Sequence, residues 1–274
     1  MFNTVLIEAE EGLASDKMEL PAMRKVAQRC LEVLRTTDPD LDMVRAEVEK
    51  DPLLAAHLVR LGTRYALQFE NIPEMLEKLG QERYRPLLVQ LSAREIPRSM
   101  DRGLEDVFKA VCRYNQIIAI LSRDLAIAAG MPSEEVYMCG LMQNVGMVIS
   151  AHILLKEEKK LNSRKPWMEA ANWITIVEEA NLDVGQIMAT KWRLSDSVAN
   201  CMKSRRDYDM VNRLSPWNVV RLANAIAQIG GLYPGHYDVD EAEMVVLMGR
   251  TALDTDPSII ERVGRTVTQQ FTAA

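Results

Sequence analysis

Histidine is scarce in this chain of 274 residues, which contains three copies. They are His57, His152 and His236, and no two of them fall within four residues of each other. The closely spaced histidine pair that a helix can offer to a metal is therefore missing. We predict packed helix positions for His57 and His152 and a surface turn for His236.

Cysteine and aromatic residues are also few. The four cysteines lie far apart and form no CxxC pair, which argues against a zinc site and against a disulfide framework. Aromatic residues make up 5% of the chain, whereas Leu, Ala, Met, Glu and Arg are frequent. This composition predicts an all-α protein with reduced, buried thiols. The thiols are those of Cys30, Cys112, Cys139 and Cys201.

Long uncharged segments are limited to one. Val136 to Leu155 contains no Asp, Glu, Lys or Arg over 20 residues, which is the length of a membrane span. Polar residues within it, including Gln143, Asn144 and His152, would be costly in lipid. We predict two short core helices that meet near Gly146. The net charge of −6 and the N-terminus, which lacks a signal-peptide pattern, favour a cytoplasmic protein that binds neither nucleic acid nor membrane.

Common catalytic motifs are missing as well. The sequence contains no GxxxxGK[ST], no GxGxxG after a strand and no GxSxG, and it pairs no cysteine with a histidine. Two pairs of carboxylates, Glu157-Glu158 and Glu178-Glu179, are expected at helix ends as solvated faces. These observations favour a protein without a catalytic centre of a familiar kind.

Helical periodicity is present along most of the chain. Caps such as Asp51-Pro52, Ser215-Pro216 and Asp256-Pro257 mark helix starts. The first hundred residues predict about five short helices, and a polar segment, Pro97–Gly103, predicts a boundary before a long helix. Two further helices are expected between residues 167 and 192. The predicted parts are an N-terminal extension (1–19), a helical lobe (20–98) and a larger helical domain (104–274).

Five phrases in order resemble the HDOD family. They are LPAM at 20–23, EKDPLLAAHLVRL at 49–61, IPEMLEKLG at 72–80, GLMQNVG at 140–146, and VG at 184–185 followed by KWRL at 191–194. The resemblance covers residues 20–231. It implies an N-terminal bundle of short helices packed on an HD-like helical domain. It also implies a bacterial signalling module that acts through protein contacts.

The resemblance implies in addition where a related HD hydrolase would hold its metals with His and Asp. The early histidine corresponds to Tyr114, the His-Asp pair to Gln143-Asn144, the later histidine to Asn181, the His-His pair to Arg205-Arg206, and the last aspartate to Asn224. Neutral amides are poor ligands for a catalytic divalent metal, and arginine has no lone pair to donate. We therefore expect no metal, no cofactor and no catalytic residue.

The expected function is a non-catalytic signal-transduction adaptor. Its partner would be a response regulator, a GGDEF- or EAL-type enzyme, or a kinase, and it would bind between the two lobes with the altered site at the edge. Two alternatives stay open. One is a sensor of a nucleotide or cyclic dinucleotide, in which Arg205 and Arg206 bind phosphate and the asparagines bind base or ribose. The other is a phosphohydrolase with a rearranged metal site.

Overall fold

The computed structural model describes residues 1–14, 24–36, 38–93, 102–161, 168–203 and 208–272. Regular structure in these ranges is entirely helical, which confirms the predicted fold class. Residues 20–23 and most of the predicted boundary at Pro97–Gly103 lie outside the described residues. The helices are α1 (Phe2–Ala14), α2 (Arg24–Val33), α3 (Leu41–Val48), α4 (Pro52–Arg64), α5 (Ile72–Leu79), α6 (Gln81–Ala93), α7 (Arg102–Ala128), α8 (Ser133–Met142), α9 (Val145–Leu161), α10 (Ala170–Trp192), α11 (Asp196–Cys201), α12 (Pro216–Ile229), α13 (Val239–Leu253) and α14 (Pro257–Thr272).

Side-chain caps set several of the helix starts. The carboxylate of Asp51 accepts from the backbone N–H of Leu53 at 3.0 Å, and Pro52 occupies the first turn of α4. Ser215 accepts from the N–H of Asn218 at 3.3 Å and precedes Pro216 in the same way. These side chains satisfy backbone donors that have no partner within the helix. The predicted starts of α4 and α12 are confirmed.

We call α2–α6 the N-terminal lobe and α7–α14 the second lobe. Helix α4 joins them, because it packs on α3 and α5 in its own lobe and on α7, α8 and α9 in the other. Seven consecutive residues of α4, Leu53–Val59, are buried. The ring of His57 lies 5.7 Å from that of Trp192 at the end of α10, and Thr63 Oγ1 lies 3.2 Å from the Trp192 carbonyl oxygen. The two lobes therefore share one continuous core.

Helices α8 and α9 form the centre of the second lobe. The segment Ser133–Leu161 is long and apolar enough to cross a membrane, yet its most apolar window is entirely buried inside the fold. The prediction of two core helices in place of a membrane span is confirmed, since α8 ends at Met142 and α9 begins at Val145. His152 is buried in α9 and His236 is exposed, as predicted. All four cysteines are buried as free thiols, and burial raises the pKa of Cys30 to about 12.

Three elements differ from expectation. A single helix, α10, replaces the two expected between residues 167 and 192, because the intervening residues are good helix formers and nothing breaks the hydrogen-bond ladder. Helix α13 was not predicted at all. The supposed N-terminal extension contains α1, which packs on α9 and α10 of the second lobe.

Candidate functional site

Asn224 of α12 lies at the centre of a polar cluster in the second lobe. Its Oδ1 accepts from the Tyr114 hydroxyl at 2.8 Å and from Gln143 Nε2 at 3.1 Å. Its Nδ2 donates to Gln143 Oε1 at 3.1 Å and to the carbonyl oxygen of Val220, one turn earlier, at 2.8 Å. All four polar contacts of this amide are therefore made inside the protein. The cluster ties α7, the α8–α9 junction and α12 together.

A second pair of amides lies at the start of α9. Asn181 of α10 accepts the backbone N–H of Met147 with its Oδ1 at 3.0 Å, and its Nδ2 donates to Asn144 Oδ1 at 3.1 Å. The close approach of α9 and α10 depends on Gly146. A Cβ at that position would lie 2.1 Å from the carbonyl oxygen of Asn181. The glycine thus allows Asn181 to reach the helix start.

The structure brings together five of the seven residues expected at the altered metal site. Tyr114, Gln143 and Asn224 form one hydrogen-bonded group, and Asn144 and Asn181 form the other. Arg205 and Arg206 lie outside the described residues, so their part in the site stays a prediction. Lys203, their neighbour, is exposed and donates to Asn200 Oδ1 at 2.7 Å. Among the described residues, no group of three His, Cys, Asp or Glu side chains is placed to hold a metal.

A cavity of about 380 Å³ opens beside these amides. Every described lining residue belongs to the second lobe, so this wall of the cavity is separate from the contacts that α4 makes between the lobes. The sequence prediction missed most of this wall, which comes from α10, the 233–238 turn and α13. Besides Tyr114, Asn144, Asn181 and Asn224, the polar lining residues are Glu178, Arg221, Gln228, Tyr233, His236, Tyr237, Asp238 and Glu241.

Glu178 shows how the cavity wall is built. Its Oε1 accepts from the Tyr233 hydroxyl at 2.5 Å, and Tyr233 in turn packs on Tyr114 with ring centroids 4.9 Å apart. Burial raises the pKa of Glu178 above its ordinary value, against the lowering effect of the Tyr233 hydrogen bond and of His236. Burial also raises the pKa of Tyr233, so its hydroxyl stays a donor.

The prediction that the two carboxylate pairs lie on solvated faces is wrong for one member of each pair. Glu178 is half-buried in the middle of α10, because that helix continues where a break was expected. Glu158 is 5% exposed, near the end of α9. Glu158 and Glu178 lie on the inward faces of their helices. Helical periodicity places their neighbours, Glu157 and Glu179, further toward solvent.

The cavity carries an excess of negative charge. Its described lining holds three carboxylates, those of Glu178, Asp238 and Glu241, against one guanidinium, that of Arg221. The Arg221 guanidinium lies over the ring of Tyr208, 5.3 Å from its centroid. A negative cavity attracts cations and repels phosphate. The described part of the site therefore differs from the phosphate pocket considered from the sequence.

Known families and structures match this arrangement. The sequence profile described as the HDOD domain matches residues 20–208, which is more than half of the chain. The chain belongs to the HDOD family. The match covers the N-terminal lobe and continues into the second lobe as far as Tyr208, the residue whose ring contacts Arg221. It ends before α12 and α13, and α1 precedes it.

Two solved structures have a similar fold. The MmoQ response regulator of Methylococcus capsulatus str. Bath is 14% identical, with a TM-score of 0.63 over 89% of this chain and 97% of that one. A virulence factor of Campylobacter jejuni subsp. jejuni is also 14% identical, with a TM-score of 0.54 over 93% of this chain and 98% of that one. At this identity the likeness shows the fold alone. None of the curated proteins matches the chain.

Proposed function

We propose that this HDOD protein is a non-catalytic, cytoplasmic adaptor that acts through contacts with a signalling protein. One observation carries the proposal: at the positions that correspond to metal ligands, the described amides and the tyrosine hydrogen-bond one another and the backbone, and one amide donor, Asn144 Nδ2, is left over. Asn224 makes four such contacts with Tyr114, Gln143 and Val220. A metal-dependent hydrolase needs free carboxylate or imidazole lone pairs at these positions.

Without a metal, a cluster of neutral amides is more favourable at these positions than a cluster of metal-binding carboxylates. Carboxylates clustered without a cation repel one another, whereas neutral amides both donate and accept. Each internal hydrogen bond contributes on the order of 1 kcal/mol, and an unsatisfied buried partner would cost more. The cluster therefore stabilises the fold as it stands, and this structural role fits a scaffold whose activity lies in its contacts.

Exposed apolar side chains support a role in protein contacts. On α13, Met244 and Leu247 are 58% and 61% exposed, and Val211 is 99% exposed in the segment before α12. Tyr208 connects the two regions, because its hydroxyl donates to the Val245 carbonyl oxygen at 2.8 Å. Met244, Leu247 and Met248 are all exposed at helical spacing on α13, and a contiguous apolar stripe on a folded surface is typical of protein-binding sites. The occupant we propose is a response regulator, a GGDEF- or EAL-type enzyme, or a kinase.

Affinity capture from the native lysate tests the adaptor role, with peptides identified by mass spectrometry. The wild type and Leu247→Glu are compared with a matched control, Ile127→Glu, because Leu247 and Ile127 are both 61% exposed. We expect a protein with one of these signalling domains to be enriched by the wild type and the control, and to be lost with Leu247→Glu. Equal enrichment by all three would reject this surface.

The non-catalytic part is tested separately on purified protein. Bis(p-nitrophenyl) phosphate is incubated with the protein and Mn²⁺, and release of p-nitrophenolate is followed. We expect no release above the rate of the metal alone. Turnover that rises with protein concentration, and that a chelator abolishes, would establish the phosphohydrolase alternative. The nucleotide-sensing alternative depends on Arg205 and Arg206, and the carboxylates of the described cavity do not favour it.

A further inference from the structure

The buried amide of Asn144 has a donor that is not used. Asn144 lines the cavity, is 4% exposed, and its Nδ2 has no hydrogen-bond partner among the described residues. A buried donor without a partner destabilises the folded protein, because it has lost its hydrogen bond to water. Native proteins pair nearly all such groups, and beside a cavity the partner can be a water molecule or a ligand that enters it.

The hydrogen-bond chain fixes which atom of Asn144 is the donor. The N–H of Met147 can only donate, so the atom of Asn181 that it meets must be the oxygen. The nitrogen of Asn181 then faces Asn144, which must present its own oxygen. Nδ2 of Asn144 is consequently the free atom. A ligand at this point must offer an acceptor, such as a hydroxyl or carbonyl oxygen.

The carboxylates of the cavity require a different group of the ligand, namely a cation. Glu178 is half-buried in the wall, and Glu241 lies on the first turn of α13. The described charges that line the cavity comprise these two, Asp238, which caps α13, and one opposing arginine, Arg221. His236 lowers the pKa of Glu178, but burial has the larger and opposite effect. A cation in the cavity would add countercharge, whereas an anion would add to the repulsion.

We propose that this cavity binds a small organic amine. Its ammonium lies against the carboxylates of Glu178 and Glu241, and its oxygen accepts from Asn144 Nδ2. The tyrosine rings of Tyr114, Tyr233 and Tyr237 line the same space and suit a cation as well. The volume of about 380 Å³ falls in the range of small-molecule sites. This inference goes beyond the adaptor role, because contacts on α13 can form with or without a ligand.

Three compounds that share a four-carbon chain and a hydroxyl group test the ligand class. The probe is 4-amino-1-butanol, which has an ammonium and a hydroxyl. The comparison compounds are 1,4-butanediol, which is neutral, and 4-hydroxybutyrate, which is an anion. Each is titrated into ¹⁵N-labelled full-length protein and followed by NMR. We expect saturable shifts with the amino alcohol and an affinity lower by about tenfold or more with the other two, as for loss of a charge-assisted hydrogen bond.

Variants locate the site. Glu178→Gln keeps an acceptor for Tyr233 but removes the charge, and should weaken binding of the amino alcohol about tenfold. Glu169→Gln is the matched control at the N-cap position of the same helix, because Glu169 is exposed and its side chain makes no cap hydrogen bond. If circular dichroism shows that Glu178→Gln is unfolded, Glu241→Gln takes its place, with an expected loss of severalfold. Absence of saturable binding, preference for the hydroxy acid, or unchanged affinity in the folded carboxylate variant would overturn the proposal.

Discussion

The asparagine side chains of the polar cluster form hydrogen bonds that aspartate side chains could not form. Asn has the size of Asp and presents a donor where Asp presents a second acceptor. Asn224 uses that donor twice, on Gln143 and on the Val220 carbonyl, and Asn181 uses it once, on Asn144. The site is consequently held by hydrogen bonds between neutral groups, and Asn224 and Asn181 should both be sensitive to the loss of the N–H₂ group.

Asn224→Asp should destabilise the protein by about 2 kcal/mol at pH 7, because a carboxylate would face the two oxygens that now accept from Nδ2. The introduced acid would have a folded-state pKa above its unfolded value, since protonation restores one donor. Its penalty should therefore shrink as pH falls through the folded-state pKa. Urea unfolding at pH 7 and pH 5 measures this difference from wild type. The exposed Asn200→Asp serves as control, and an equal effect at both sites would contradict the argument.

Gly146→Ala should cost about 3 kcal/mol, because the added methyl group would meet the Asn181 carbonyl oxygen at 2.1 Å and backbone cannot move aside cheaply. Gly185→Ala is the matched control in a helix. There the nearest atom is Met202 Cβ at 3.6 Å, so alanine should be neutral or stabilise the helix by up to about 1 kcal/mol. Urea denaturation compares the two variants. Similar stabilities would show that α9 can shift away from α10.

The sequence located part of this site and missed part of it, for a physical reason. The family resemblance assigned Tyr114, Gln143, Asn144, Asn181 and Asn224 to one site, and the structure places them close together. Glu178, Tyr233 and Glu241 come from three separate elements, and nothing in their local sequence indicates that they share a cavity. Burial of Glu178 in particular depends on the turn at Gly235, where a Cβ would lie 1.7 Å from its Oε1.

At the scale of elements, caps and proline positions predicted helix starts well, whereas helices whose apolar face is weak were missed. Helix α13 exposes Met244 and Leu247 and buries Ala242 and Val245, so apolar residues occur on both sides and the periodic signal is lost. Helix α1 has a clear inward stripe but precedes the family phrases. Only the structure shows that it belongs to the second lobe.

Helix α1 is held on α9 and α10 by a narrow stripe of apolar residues and by the ion pairs of Glu8 with Lys156 and Lys160. Val5 and Ala9 are fully buried, and Glu8 lies 3.0 Å from Lys160. The stripe is short, so a single charge placed in it should release the helix. Val5→Asp should cost about 3 kcal/mol at this interface, because a carboxylate would be buried without a partner.

Hydrogen exchange detected by mass spectrometry measures the release of α1. The α1 amides should lose protection in Val5→Asp while those of α7 keep it. Ile7→Asp is the control, because Ile7 is 57% exposed in the same helix. If the α1 amides stay protected in both variants, or lose protection in both, the buried stripe is not what holds the helix.

At the scale of the whole molecule, one continuous core joins the two lobes, although the family phrases suggested two units. A charged contact reinforces the apolar packing of α4. Arg45 of α3 lies 2.5 Å from Glu49 and reaches Glu134 of α8 at 2.7 Å. Its guanidinium also lies 5.2 Å from the centroid of the Tyr137 ring. Because these groups are largely buried, the contact should contribute to coupling between the lobes.

Arg45→Met should lower the free energy of unfolding by about 2 kcal/mol, since Glu49 and Glu134 would lose their cation. Arg29→Met is the control: Arg29 is 59% exposed and pairs with Glu47 at 3.7 Å, so its loss should change stability by no more than about 0.5 kcal/mol. Tryptophan fluorescence reports the second lobe and its contact with α4, because all four tryptophans follow residue 166 and Trp192 packs on His57. Circular dichroism reports both lobes. In urea the two signals should change together in wild type and in both variants, with an earlier midpoint for Arg45→Met. A circular dichroism transition that precedes the fluorescence transition in wild type would mean that the N-terminal lobe unfolds by itself. In that case the shared core would not make the protein a single cooperative unit.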